Sequence, residues 1–205
     1  MPNVSNVKSK FFGDVDALDA DGISVAATIG SATTLTLGGT LTSGGSYTSG
    51  DNIGQLVTIL SAADDSGITF TIVGTDAVGD AQTEVVTGAD TTTATSSGYF
   101  NTVTSITTSA ATGGNVSAGV TATGTGTVFA GRTRIRGLQG LSGASAGNLL
   151  FKNTSVTGTT LLTVPTQAAA ELIEPYIPDN AVLFDAGAYV NFGSAVATVT
   201  VFYDG

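Results

Sequence analysis

Four aspartates in one short stretch are the best metal-binding candidates in this sequence. They precede a glycine and a strand-like run in the order Asp14, Asp16, Asp19, Asp21, Gly22, Ile23. Calcium takes several oxygen ligands, which closely spaced carboxylates can supply. The spacing departs from an EF-hand loop, because no bidentate Glu follows at the required offset and Ala and Leu interrupt the alternation. The stretch favours a solvated acidic loop, and calcium binding stays an open alternative.

A second pair of carboxylates, Asp64 and Asp65, stands directly before Ser66 and Gly67. Glycoside hydrolysis uses two carboxylates across a cleft, usually with aromatic side chains that stack on the sugar. Aromatic residues are 7% of the chain and Trp is absent. Because Asp, Ser and Gly are turn formers, we interpret these residues as a tight turn between two strands.

Three arginines, Arg132, Arg134 and Arg136, alternate with Thr133 and Ile135. In a strand this spacing places all three guanidinium groups on one face. One interpretation is an interface that pairs with carboxylates of a neighbouring chain, since arginine binds carboxylates through two hydrogen bonds. The other is pairing within the chain, with the carboxylate partners Asp185, Glu171 or Glu174.

The N-terminal segment carries the one basic and aromatic stretch of the first half: Lys8, Lys10, Phe11 and Phe12. We interpret residues 1–19 as an N-terminal arm, with these four side chains as an interface clamp. The segment has no apolar region of the kind found in a signal peptide, and no run in the chain approaches the length of a membrane-spanning helix.

Composition excludes several kinds of chemistry. The 205 residues include no Cys and no His, which excludes disulfides, Cys/His zinc sites and Cys- or His-based nucleophilic catalysis. The glycine-rich stretch 79–88 contains neither a GxGxxG motif nor a P-loop. We therefore expect no catalytic residues and no cofactor.

Charge is sparse and unevenly placed. Charged residues are 11% of the chain and the net charge is −10, of which residues 1–131 carry −9. Such an acidic region would repel a phosphate backbone, so we expect no direct nucleic-acid binding. Thr, Ser and Gly make up 81 of the 205 residues, which suits outer faces that meet other subunits. A monomer kept soluble by hydroxyl groups and net charge is the alternative.

The dominant sequence period is two, which predicts antiparallel strands with one buried face. The cleanest alternation is in Ile68–Ile72 and in Val199–Tyr203, where Val199, Val201 and Tyr203 share a face. The other predicted strands are Ile23–Thr28, Thr33–Leu37, Gln55–Leu60, Thr83–Thr87, Phe100–Thr107, Val116–Ala122, Thr133–Leu138, Leu149–Lys152, Thr160–Val164, Ala181–Phe184 and Tyr189–Phe192. Helical propensity is confined to Thr166–Ile173, which the flanking prolines also allow to be an extended loop.

We therefore predict an all-β protein of two tandem antiparallel β-sandwich or jelly-roll-like domains after the arm. The first sandwich covers residues 20–125 and the second, smaller one residues 126–205. The boundary falls in a low-complexity, flexible run of alternating Thr and Gly at residues 123–127.

Several segments resemble modules of tailed-bacteriophage virion proteins. In the first half they are Asp19–Ile23, the hairpin Asp64–Asp76 (pattern DSG-x-TF-x-I-x-GTD), Thr83–Gly88 (TE-x-x-TG) and Tyr99–Ile106 (YF-x-TVTSI). In the second half they are Arg134–Gly137, Thr160–Val164, Ile177–Asn180, the run Phe184–Val190 (F-D-x-G-x-YV) and Val199–Tyr203 (VTVFY). The matches span about residues 19–203.

The resemblance implies a virion structural protein, made in the host cytoplasm, with no catalytic residues. Head decoration, or cementing, is the role we expect, with the major capsid protein or other virion proteins as partners. Self-association, with a trimer favoured, and no membrane contact are also expected. The alternatives are a tail, neck or fibre-associated structural protein and, from another class, a carbohydrate-binding host-recognition module.

Overall fold

The protein is built from β-strands. A computed structural model describes residues 6–13, 15–193 and 196–205, and within these residues the chain forms strands and loops and no helix. The strands are β1 Val7–Gly13, β2 Asp19–Thr28, β3 Thr42–Ser43, β4 Ser46–Thr48, β5 Gly54–Ser61, β6 Thr69–Thr75, β7 Ala81–Thr87, β8 Thr93–Phe100, β9 Thr102–Thr108, β10 Asn115–Phe129, β11 Thr133–Ser142, β12 Gly147–Asn153, β13 Thr160–Thr166, β14 Leu172–Ile173, β15 Val182–Phe184, β16 Ala188–Phe192 and β17 Val196–Asp204. The predicted all-β class with antiparallel pairing is confirmed.

The chain divides into two compact units. Unit 1 comprises Met1–Val15, Asp51–Ile53 and Thr123–Gly205, and unit 2 comprises Asp16–Gly50 and Gly54–Ala122. The chain passes from unit 2 to unit 1 inside β10. The Thr-Gly run that we expected to be a flexible linker is therefore strand, with Gly124 paired to Phe192 and Gly126 to Val190.

In unit 1, one sheet has the strand order β1-β17-β11-β14, with β15 also paired to β11. The other strands of this unit follow the order β13-β12-β16-β10. Val199 and Val201 are fully buried and Tyr203 nearly so, which confirms the predicted face of β17. They belong to a core that also contains Phe12, Phe151, Phe184 and Phe192.

Residues 7–13 are not an arm. They form β1, whose seven residues pair antiparallel with β17 from Val7 opposite Asp204 to Gly13 opposite Thr198. The Phe12 side chain has no exposed surface and packs against Phe192, with ring centroids 5.8 Å apart. The predicted arm is thus an edge strand over these residues, and Met1–Ser5 lie outside the described residues.

In unit 2, one sheet has the strand order β3-β4-β9-β6-β7. Phe70 and Ile72 are fully buried, as the alternation in Ile68–Ile72 predicts. The β3–β4 hairpin turns through Gly44 and Gly45, whose φ angles of +60° and +80° are those of a type I′ turn. Strands β2, β5, β8 and the first part of β10 form the remaining pairings of this unit.

No helix long and apolar enough to span a bilayer occurs in the described part of the chain. The segment Thr166–Ile173 ends β13, continues as a loop and enters β14. Ala169 and Ala170 in this loop have φ angles of +76° and +57°, a left-handed conformation incompatible with a continuous α-helix.

Candidate interaction surface

Two carboxylates of the acidic stretch, those of Asp16 and Asp19, accept hydrogen bonds from hydroxyl groups. Asp16 accepts a hydrogen bond of 2.9 Å from the buried Tyr47 hydroxyl, and Asp19 accepts one of 2.9 Å from Thr40. The bond from Thr40 and one from the Asp21 backbone lower the pKa of Asp19. Among the described residues, no three acidic side chains are close enough to share a metal ion. Asp14 lies outside the described residues.

Asp64 and Asp65 have separate structural roles in a turn. The Asp64 carboxylate accepts bonds from the hydroxyl and the backbone N–H of Ser66, which lower the pKa of Asp64. Asp65 is fully buried and accepts a 2.8 Å bond from the backbone N–H of Gly113. The local geometry is that of the predicted turn, and it turns the Asp65 carboxylate away from solvent.

The three arginines bind atoms of their own chain. Arg136 donates to the Asp204 carboxylate at 2.7 Å, and this bond raises the pKa of Arg136. Arg134 donates to the backbone carbonyl of Asn180, and Arg132 lies 3.7 Å from Asp185 in an exposed pair. Pairing within the chain is therefore what the structure shows, with Asp185 as the predicted partner and Asp204 as one that we did not predict.

The two N-terminal lysines also bind within unit 1. The Lys8 ammonium donates to the Gly205 carbonyl at 2.7 Å and lies 5.7 Å from the centroid of the Phe129 ring. The Lys10 ammonium donates to the Thr127 carbonyl at 2.8 Å and lies 5.6 Å from the Phe12 ring centroid. Partial burial lowers the pKa of Lys10. These cationic groups therefore lie on the same side of β1 as the core residue Phe12.

The opposite side of the same sheet exposes large apolar side chains. We call this side the apolar face, defined by Val7 and Phe11 on β1, Phe202 on β17, Leu141 on β11 and Leu172 on β14. Phe11 is 42% exposed, Leu141 45% and Leu172 59%, and Phe202 is partly buried. Because successive side chains along a strand point to opposite sides of the sheet, each residue on this face is next in sequence to a residue that points to the core side.

The strand register places Phe11 diagonal to Phe202 and Leu141 opposite Leu172, with Thr198, Thr200 and Gln139 between the two pairs. Across the sheet the rows are Ser9, Phe202 and Gly137; then Phe11, Thr200 and Gln139; then Gly13, Thr198, Leu141 and Leu172. None of these residues is charged. The Arg136–Asp204 ion pair lies at one end, beyond the first row. The centre of the apolar face can therefore be covered by a partner without burial of a charge, which would be costly.

Unit 2 exposes a sheet face of different chemistry, which we call the Thr face. It is defined by Thr69, Thr71 and Val73 on β6, Thr83, Val85 and Thr87 on β7, and Ser105 and Thr107 on β9. Thr71 is central, opposite Val85 on one side and Thr107 on the other. Glu84 of β7 lies on the other side of the sheet, where its carboxylate accepts the backbone N–H groups of Ser97 and Gly98.

The formal charge separates between the two units. Unit 1 holds all six basic residues and seven acidic ones, a net charge of −1. Unit 2 holds nine acidic residues and no basic residue. The unit that carries the apolar face is thus nearly neutral, and the unit that carries the hydroxyl-bearing face is strongly acidic.

The apolar face was not predicted. The signal lies in the register: once β1, β11 and β17 are known to pair, the outward positions Phe11, Leu141 and Phe202 fall on one side. Phe11 was selected from the sequence as an interface residue, and it does lie on this exposed face. Phe12 was selected with it, but its side chain is in the core.

Comparison with known proteins identifies no relative of this chain. No protein-family model matches the chain, and neither curated proteins nor solved structures give a significant match. The phage resemblance of the short segments therefore stays a prediction.

Proposed function

We propose that this chain is a non-enzymatic structural protein of a bacteriophage virion. Its role is that of a capsid decoration protein, which binds the head lattice and stabilises it. The two units serve as β-sandwich modules, and the partners are the major capsid protein or other virion proteins and further copies of the chain. The observation that carries the proposal is the apolar face of unit 1, a surface suited to coverage by a neighbouring subunit.

The chemistry of this face supports an assembly role. Exposed apolar residues grouped on one surface and rimmed by polar groups are characteristic of protein interaction sites. Interfaces are depleted in charge at the centre and enriched in aromatic residues; the three rows of the apolar face hold no charged residue, and Phe11 and Phe202 supply aromatic surface. Decoration requires area and complementarity, and both can come from a sheet face without any reactive group.

The charge of unit 2 supports a position away from the genome. A unit with nine acidic residues and no basic one is repelled by nucleic acid. Contact with the outside of a protein shell avoids that repulsion. The short segments that resemble phage virion proteins are the support for a phage particle in particular.

The test is the copy number of the chain in purified particles of the phage that encodes it. Quantitative mass spectrometry would compare it with the major capsid protein. A copy number comparable with that of the capsid protein is the expected result. A small fixed number, such as one ring of subunits, would assign the chain to the tail or neck instead, and absence from the particle would overturn the virion role altogether.

A further inference from the structure

We propose that the apolar face of unit 1 is a homotypic contact, in which a second copy of this chain packs the same face against it. The inference rests on the proposed function in one respect, because a structural virion protein is expected to meet copies of itself. It goes further in naming the surface, the partner and the number of copies.

Charge is the first argument for a second copy as the occupant. Two chains of net charge −10 repel each other, and this repulsion is weakest where charge is lowest. Unit 1 has a net charge of −1 and its apolar face is uncharged across three rows. Two acidic chains can therefore approach through this face with the least electrostatic cost.

The layout of the face is the second argument. Thr200 is central, with Phe11 on the strand to one side and Gln139 on the strand to the other, and Leu141 and Leu172 lie beyond. A two-fold axis near Thr200 would place the aromatic side of one copy over the aliphatic side of the other. Two sheet faces pack about 10 Å apart with their side chains interleaved, as in a β-sandwich. Such an isologous contact closes at two copies, so a pair replaces the trimer that we expected from the sequence.

The size of the face sets the strength of the contact. Three seven-residue strands at their usual spacing, with β14 at one edge, cover about 350–450 Å². A stable interface buries about 800 Å² on each partner. The pair is therefore weak in dilute solution, with a dissociation constant of about 10 µM to 1 mM. It becomes saturated where a lattice holds copies close together, because the effective concentration there reaches the millimolar range.

Sedimentation of the purified chain between about 10 µM and 2 mM tests the contact, since this range brackets the expected dissociation constant. The average mass should rise from one chain toward two as the concentration increases. A single-chain mass throughout would overturn the proposal, and so would a rise to a trimer.

Charge at the centre of the face tests the surface. Thr200→Glu and Thr200→Lys would each place like charges against each other in a two-fold pair, and each should weaken self-association at least tenfold. An equimolar mixture of the two variants should restore pairing, because opposite charges then meet. Rescue by mixing requires that position 200 of one copy faces position 200 of another, so loss without rescue would overturn the homotypic contact.

Matched substitutions on the Thr face give the control. Thr71→Glu and Thr71→Lys lie at the centre of that face and should leave the dissociation constant unchanged. If they weaken pairing as much as the Thr200 variants do, the contact is not on unit 1. Circular dichroism and thermal unfolding of each variant would show that it is folded. The Thr200→Glu and Thr200→Lys mixture keeps the test decisive, because an unfolded variant could not be rescued.

The failure of this inference is distinguishable from that of the proposed function. A chain that pairs through Thr200 but is absent from phage particles would leave the inference intact and overturn the virion role. A chain that is abundant on phage heads but stays a monomer in solution at 2 mM would support the virion role and overturn the homotypic contact.

Discussion

The apolar face of unit 1 and the Thr face of unit 2 are both uncharged sheet surfaces, yet they differ in how they meet water. Threonine packs its branched stem against neighbours on the sheet and offers a hydroxyl group to solvent. Thr71 and Thr107 lie opposite each other on the Thr face and are half-buried, and the Thr107 hydroxyl is hydrogen-bonded to the Thr34 hydroxyl. The side chains of Phe11, Leu141 and Leu172 have no polar group. Covering them with a partner therefore removes apolar surface from water, which is favourable in free energy. A low content of charge therefore does not by itself mark an interface.

The same contrast occurs within a single strand. On β1, Phe12 is fully buried and Phe11 is 42% exposed, although they are sequence neighbours. The two sides of β1 thus belong to a core and to a candidate interface.

The largest effect is expected from Phe12→Ala. Removing this ring leaves a cavity beside Phe192, which should lower the free energy of unfolding by about 3–5 kcal/mol in urea titration. Phe11→Ala, on the other side of the strand, is the control and should cost less than about 1 kcal/mol. Phe12→Leu gives a milder core variant if the alanine variant does not fold. Equal costs for the Phe12 and Phe11 alanine variants would contradict the assignment of the two sides.

Converting the apolar face toward the chemistry of the Thr face should abolish pairing. Leu141→Thr together with Leu172→Thr keeps both positions compatible with a strand and removes apolar surface. Self-association should weaken at least tenfold in sedimentation, while the free energy of unfolding changes by less than about 1 kcal/mol.

The matched change on the other face is Val73→Thr together with Val85→Thr. Both valines are exposed on the Thr face, and Val85 is 60% exposed. These substitutions should leave self-association unchanged. An equal loss of pairing from both double variants would show that the two faces do not differ in function.

Smaller effects are expected from the arginines. Arg136→Ala removes the bond to Asp204 and the bond to the Asp179 carbonyl, and should lower the melting temperature slightly. Arg132→Ala removes only a 3.7 Å contact with Asp185 and should leave it unchanged. A larger decrease in melting temperature from Arg132→Ala than from Arg136→Ala would contradict the pairing seen in the structure.

The smallest predicted effect is the pH dependence contributed by Lys10. Burial lowers the pKa of Lys10 in the folded chain, so between the folded and unfolded pKa values the unfolded chain binds more protons. The unfavourable contribution from its buried charge is therefore fully present below the folded pKa and is relieved as pH rises toward the unfolded value. Wild type should gain stability relative to Lys10→Met as pH rises through this range, measured by urea titration. A flat or falling difference would contradict the burial of the ammonium group.

Strands with one buried face were predictable from the sequence. In β6 and β17 the alternation of apolar and Thr residues follows the register closely, because one side of each strand packs in a core. Most of β8 was missed because the residues at 93–98 are small and mostly polar. Ser96 is nevertheless buried there, and its hydroxyl bonds the backbone of Val57 and Gly98. The hydrogen bond from the distant backbone N–H of Val57 leaves no mark in the local sequence pattern.

Other errors have the same origin in long-range pairing. Thr33–Leu37 was predicted as a strand, but it makes only an isolated bridge between Thr34 and Thr107. Lys8 and Lys10 were predicted to belong to an interface clamp on an N-terminal arm, yet their ammonium groups bind carbonyls far along the same chain, at Gly205 and Thr127. The apolar face depends on the pairing of β17 with both β11 and β1, and β1 lies more than a hundred residues from β17 in the sequence; composition and spacing do not encode these pairings.

The central claim is that the apolar face, and not the Thr face, is covered when copies of the chain meet. Hydroxyl-radical footprinting of the purified chain, dilute and at millimolar concentration, measures the exposure of both faces in one experiment. The account predicts that Phe11, Phe202 and Leu141 become protected as concentration rises, while Val73 and Val85 stay equally reactive. Protection of Val73 and Val85 with no change at Phe11, Phe202 and Leu141 would contradict it.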